Sequence, residues 1–210
     1  MNTDNQQEIG LVGWLAGIID GEGTVSLTIS RRANRSQMIR VQPKVSIANT
    51  DMGIIDRCLK ALHQIGVGHY QRNERRPAGH VLGVPVSKFK PVTTLEISGL
   101  KRVKTLLGAV RPYLAGEKAN RADLLLKFIS GRIGYAENSK KAQNVAYRQE
   151  DVENALAFLR VTRTKNIENI AKILNEHTRE MVKTPETKAK MSAARKAFWE
   201  RKRLTLEATH

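Results

Sequence analysis

Cysteine is almost missing from this chain: Cys58 is the single one in 210 residues. That excludes an internal disulfide framework and a cysteine-rich zinc site, and it is the usage expected of a reducing interior. Long apolar runs are also missing. The longest one near the N-terminus, from Ile9 to Ile19, is about half of the roughly 20 residues that cross a bilayer, so no membrane anchor is expected. No signal peptide is visible, and an intracellular rather than secreted protein is the expectation. Acidic residues are scarce, and over one stretch they vanish. Between Thr24 and Thr50 there is none, against five basic residues, Arg31, Arg32, Arg35, Arg40 and Lys44.

What is abundant is positive charge. Lys and Arg number 36 against 20 Asp and Glu, a formal net charge of +16 and a pI near 10.3. Such a balance points to a polyanionic partner, nucleic acid first, with a ribosomal or generally adhesive basic protein as the plainer alternative. Hydrophobic residues make up 40% of the chain, enough for one sizeable core and an appendage. The expected division is a core over 1–133, a helical extension over 134–175 and a basic tail over 176–210.

The periodicities supply an outline. Leu11, Trp14, Leu15, Ile18 and Ile19 recur at helical spacing from Ile9 to Asp20, with Gly13 and Gly17 one turn apart. The next segment, TVSLTISRR, alternates Val25, Leu27 and Ile29 with Thr24, Ser26, Thr28 and Ser30, as a half-buried strand does. A second strand is expected over Met38 to Ala48, with Ile39, Val41, Val45 and Ile47 inward and Arg40, Gln42, Lys44 and Ser46 outward. Pro43 suggests a bulge or a break in its ladder. A helix follows over Asp51 to Ile65, ended by Gly66. VGHYQRN and PVTTLEIS read as two more strands, joined by the long basic loop RRPAGHVLGVPVSKFK. Helices over Leu100 to Arg111 and Ala119 to Ser130 complete the core.

This order predicts an α+β layer: an antiparallel sheet with helices on one face. The other face carries one sign of charge mixed with amides and hydroxyls, a surface suited to phosphates and base edges. Thr28, Ser30, Arg32, Arg40, Gln42, Lys44, Gln71, Asn73 and Arg75 are the candidate DNA-binding residues. Residues 177–203 hold nine Lys and Arg against three Glu, with Thr184 as a candidate N-cap and Pro185 at the first helical position. A modular DNA-binding helix and a flexible basic tail both fit that segment.

The stretch WLAGIIDGEG at 14–23 is harder to explain by packing alone. It places Asp20 and Glu22 at a helix C-terminus, where the helix dipole already gathers negative charge, so compensation by a cap, a basic neighbour or a cation is needed. Gly13 and Gly17 would let two helices approach closely, or serve ordinary packing of the helix on its own sheet.

LAGIIDGEG resembles the motif of the LAGLIDADG homing endonucleases, and the order of elements down to about Ile133 is similar to that family's αββαββα fold, with its saddle-shaped sheet. IGVGHY at 65–70 and RPYLAGEKANRADLLLKFI at 111–129 resemble the single-motif, homodimeric, intron-encoded branch. The motif occurs once. The resemblance implies a homodimer with Gly13, Gly17 and Asp20 at its interface, and Mg²⁺ held by Glu22 and the Gly21 carbonyl. It implies Asn49 as a water-positioning residue and a lysine near the active site. Aligning backward from ADLLLKFI puts that lysine at Lys118, whereas counting forward from Pro112 lands on Glu117. It further implies cleavage of both DNA strands at a long pseudo-palindromic site, leaving short 3′ overhangs, in a bacterial, phage or organellar setting. An RNA maturase and a non-catalytic DNA-binding regulator are the alternatives on the same fold.

Overall fold

The alternating segments pair into one antiparallel sheet in the computed structural model, which describes residues 3–31, 39–74, 80–81, 84–85, 90–136 and 147–181, with positions 192–193, 196–197 and 200. The strands are β1 (Gly23–Arg31), β2 (Ile39–Asn49), β3 (Tyr70–Glu74), β4 (His80–Val81), β5 (Val84–Pro85) and β6 (Val92–Ser98). Four of them form the main sheet in the order β1-β2-β6-β3, and β4 pairs with β5 as a two-residue hairpin inside the expected basic loop. The helices are α1 (Thr3–Gly21), α2 (Met52–Gln64), α3 (Leu100–Val110), α4 (Gly116–Ala136), α5 (Gln149–Val161) and α6 (Ile167–Met181), with a 3₁₀ turn at Arg111–Tyr113.

Register divides the sheet by parity. Val25 faces Val45, Val45 faces Ile97, and Ile47 faces Leu95, so odd-numbered side chains of these strands share one face. There Val25, Val45, Ile47, Leu95 and Ile97 are all but fully buried beneath the helices. Even-numbered residues, including Thr24, Thr28, Ser30 and Arg40, form an open face. From α1, Leu15 and Ile19 are fully buried against the sheet, each contributing about 1.5–3 kcal/mol relative to exposure. Helix α2 buries Ile55, Cys58, Ala61 and Leu62 at helical spacing. It starts where the Asp51 carboxylate accepts the Gly53 N–H, and it stops before Gly66, whose φ of 67° glycine tolerates best.

Pro43 neither bulges nor breaks β2, contrary to expectation. The β1–β2 register runs through Leu27↔Pro43 without interruption. Pro43 lies one residue beyond the last β2–β6 pair, Lys44↔Ser98, and its carbonyl accepts the Gly99 N–H at 3.2 Å. The Gly99 carbonyl already accepts from Val103 N–H as α3 begins, so the N–H that proline lacks leaves no acceptor unpaired.

Helix α1 begins six residues before Ile9, and α4 continues past Ile133 to Ala136. Beyond it, α5 packs on α4 and β1, and its Val152, Ala155, Phe158 and Leu159 belong to the same buried cluster as Leu15 and Ile47. A polar knot accompanies them. Asp151, fully buried, pairs with Arg132 of α4 at 3.2 Å and with Arg148 at 3.0 Å, and Arg148 also donates to the Gly131 carbonyl at 3.0 Å. Arg132 lies over the Tyr147 ring, 4.3 Å from its centroid, and the Tyr147 hydroxyl accepts the Val41 N–H of β2 at 2.9 Å. Helix α6 runs on to Met181, past the expected start of the tail, and the rest of that tail lies almost wholly outside the described residues.

Asp151→Ala breaks the buried pairs with Arg132 and Arg148 and is expected to cost about 3–5 kcal/mol in denaturant unfolding. Tyr147→Phe, which deletes the hydrogen bond from the Val41 N–H and keeps the ring, is expected to cost about 0.5–1.5 kcal/mol.

Candidate carboxylate site and nucleic-acid interface

The last turn of α1 meets the first residue of β1 at very short range. A Cβ on Gly23 would lie 2.7 Å from the Ile19 Cα and 2.8 Å from its carbonyl oxygen, so only glycine allows the strand to leave the helix there. The intervening Gly21 and Glu22 are exposed. Glu22 Oε2 accepts a hydrogen bond from Asn49 Nδ2 at the end of β2, and Asn49 Oδ1 in turn accepts the Asp51 N–H at 2.8 Å. Glu22, Ala48, Asn49, Thr50 and Val92 line an open hollow of about 270 Å³.

Lys118 meets the charge at the end of α1. Its ammonium donates to the carbonyls of Ile19 at 2.7 Å and Asp20 at 2.8 Å, supplying the cation that a helix C-terminus favours. Burial lowers the Lys118 pKa below that of an ordinary lysine, and the Asp20 charge works in the opposite direction. Glu117, the other position reached by alignment, instead pairs with Arg121 within α4 at 2.5 Å. Asp20 Oδ2 accepts the Ala115 N–H at 3.1 Å, while Oδ1 is buried without a hydrogen-bond partner among the described residues. Cys58 lies close enough to feel Glu22: burial first, and that carboxylate second, push its thiol up to about 11.

The open sheet face begins beside this site. Thr28, Ser30 and Arg40 are exposed on it and Gln42 is half-buried, in the pairs Thr28↔Gln42 and Ser30↔Arg40. Lys44 shares the face and pairs with Glu96 of β6 at 3.2 Å.

No sequence-family profile matches the chain. Among curated proteins, an uncharacterized protein of Methanocaldococcus jannaschii is 32% identical over 84 residues, covering 39% of this chain. The chain spans 29% of that relative's length. The solved structure of the homing endonuclease I-CvuI in complex with its target superposes with a TM-score of 0.56 at 18% identity, covering 82% of this chain and 98% of that one. The group I intron-encoded homing endonuclease I-CeuI, complexed with DNA, superposes at 0.55 with 14% identity, covering 79% and 76%. The archaeal intron-encoded homing endonuclease I-Vdi141I, also complexed with DNA, gives 0.53 at 13%, covering 83% and 98%.

This is the LAGLIDADG homing-endonuclease fold.

Within it, the expected site residues fall into two groups. Glu22, Gly21, Asn49, Asp20 and Lys118 converge at the C-terminal end of α1. Gly17 is exposed, with open space where a Cβ would stand, whereas a Cβ on Gly13 would lie 3.7 Å from the Tyr113 ring of its own chain. Arg32 and Arg75 lie outside the described residues.

Gln71 and Asn73 require correction. They were expected to point outward, but register places Gln71 opposite buried Leu95 and Asn73 opposite Thr93, on the helix side of the sheet. Asn73 Oδ1 accepts from the Thr93 hydroxyl at 3.1 Å, and Asn49 is paired with Thr93 from the other side. The row Asn49–Thr93–Asn73 therefore belongs to the carboxylate end. The β3 residues that register places on the open face are Tyr70, 64% exposed, Arg72 and Glu74. Sequence reasoning missed Tyr70, Arg72 and Glu96. Parity counted from Leu95 and Ile97 in PVTTLEIS would have found Glu96.

No helix among the described residues is long and apolar enough to cross a membrane. Likewise, no group of three or more His, Cys, Asp or Glu side chains gathers there into a metal site.

Lys118→Met removes both charge-assisted bonds to α1. It is expected to lower stability by about 1–2 kcal/mol, less than two buried bonds of that kind because the ammonium is partly solvated. Thermal unfolding checks it, and an unchanged midpoint would show that the ammonium does not hold α1.

Proposed function

We propose that the protein is a site-specific double-strand DNA endonuclease acting as a homodimer. The observation that carries this reading is the placement of Glu22: an exposed carboxylate, held by Asn49, at the edge of a sheet face with hydroxyl, amide and basic groups. A protein that only bound DNA would gain nothing from a carboxylate turned toward phosphates.

One chain supplies one such carboxylate, and the donor chemistry there fits a hard cation only when more oxygen ligands arrive. Glu22 and the Gly21 carbonyl are the residues that would hold Mg²⁺, with DNA phosphate and a second copy's Glu22 completing the set. A bound divalent cation would activate water and stabilise the leaving oxygen. Asn49 orients the Glu22 carboxylate. Lys118 is a positioning residue that fixes the carbonyls preceding it. The exposed Gly17 on α1 and the unpartnered Asp20 Oδ1 support a helix pair formed between two copies, which would bring the two carboxylates together.

In this arrangement the sheets lie in the major groove on either side, and cleavage across the intervening minor groove leaves short 3′ overhangs. The site is long and pseudo-palindromic because the reader is two-fold symmetric. An intron-encoded, intracellular enzyme fits the reading.

The deciding experiment incubates the protein with its host locus lacking the insertion, with and without Mg²⁺. Glu22→Gln is expected to abolish cleavage while DNA binding stays near parental, because one fewer negative charge faces phosphate. A variant that still cuts at the parental rate would remove Glu22 from the chemistry. Gly17→Leu is expected to separate the paired helices and abolish both dimer and cleavage. Sedimentation of an active species at the monomer mass of 23.5 kDa would overturn the homodimer.

A further inference from the structure

The open face holds one side chain that its charge does not explain. By register Glu74 at the end of β3 falls on that face as well, and Glu96 is the carboxylate there whose side chain is described. It stands on β6 between Ser46 and Tyr70, and Lys44 lies diagonally across, its ammonium 3.2 Å from Glu96 Oε2. The two side chains are 33% and 35% exposed. An ion pair so exposed adds little to stability, and a carboxylate facing phosphates would weaken binding. Facing base edges, it has a use.

A C·G pair shows the groove a guanine O6 acceptor and a cytosine N4 donor side by side, about 2.9 Å apart because they are bonded to each other. Lys44 and Glu96 offer the matching donor and acceptor at a similar separation. We infer that Lys44 and Glu96 act as one unit that reads a single C·G base pair, Glu96 accepting from cytosine N4 while Lys44 donates to guanine O6 and N7. The inference rests on the reading that this face enters the major groove. An A·T pair also sets a donor beside an acceptor, but it gives the ammonium one acceptor with a methyl nearby, where guanine gives it two. Glu96 is thus a specificity-determining residue, and Lys44 is its partner rather than a phosphate anchor.

Selection from a double-stranded DNA library, run in EDTA so that bound DNA stays whole, tests this directly. The parental protein is expected to fix C·G at one position of each half-site. Glu96→Gln keeps the side-chain volume and should move that position from cytosine toward adenine, the base that an amide reads in bidentate fashion, by about 5- to 150-fold. Lys44→Met should relax selection at that same base pair and at no other. Thermal unfolding of both variants shows whether the fold persists. Affinity that changes evenly over all sequences, effects of the two variants at different base pairs, or a parental protein that fixes A·T at the shared position would each overturn the inference, as would lost stability with unchanged preference. A parental protein that binds DNA but selects no sequence would overturn the interface reading itself, and this inference with it.

Discussion

The contact between Gly23 and the last turn of α1 governs how the site is built. Because the strand leaves the helix with no room for a Cβ, the residue between them cannot turn back into the core. Glu22, next to that contact, is exposed at the end of the sheet. Everything around it compensates for putting negative charge there. Lys118 reaches across from α4 to the final carbonyls, and Asn49 donates to the carboxylate from β2. Cys58 in the core is harder to ionise, through its burial first and the same carboxylate second. The site is thus assembled from three elements that do not adjoin in sequence, and they meet because one glycine sets the departure angle.

Parity separates two tasks on one sheet. The odd side supplies the core and ends in the polar row of Asn49, Thr93 and Asn73, while the even side carries groups that face outward. A strand residue contributes to one task or the other and not to both. Substitutions on the outward side accordingly leave the packing little changed, and substitutions beneath disturb it.

Much of this was legible in the sequence where burial imposes a rhythm. β1, β2 and β6 alternate cleanly because one side of each meets helices, so Thr28, Ser30, Arg40, Gln42 and Lys44 were correctly placed outward. Glu22 and Asn49 followed from a motif and from keeping register to the end of β2. β3 was misread because its residues 70–73 are exposed on both sides; without a buried partner, nothing in the pattern fixes its phase, and a slip of one residue exchanges the faces. Glu96 escaped notice because attention to one sign of charge passes over the exception. The Lys118 contact joins residues about a hundred positions apart, a closure that no local periodicity encodes. The knot of Asp151, Arg132, Arg148 and Tyr147 was likewise invisible, since a polar cluster in sequence reads as solvated surface until the helices bury it.

That knot also bears on where a further strand could add to the sheet. Past the end of β6, residues 39–43 of β2 have no neighbouring strand on one side among the described residues, an edge of the kind that templates unwanted strand addition. Of the groups turned that way, the Val41 N–H is taken by the Tyr147 hydroxyl, the Pro43 nitrogen carries no hydrogen, and the Pro43 carbonyl is occupied by Gly99. This stretch of the strand is therefore closed by a proline and a tyrosine, with Val41 and Pro43 both buried. A hydroxyl contributed by the segment beyond α4 does for this edge what lysines and bulges do in other sheets: it removes a site at which aggregation would start.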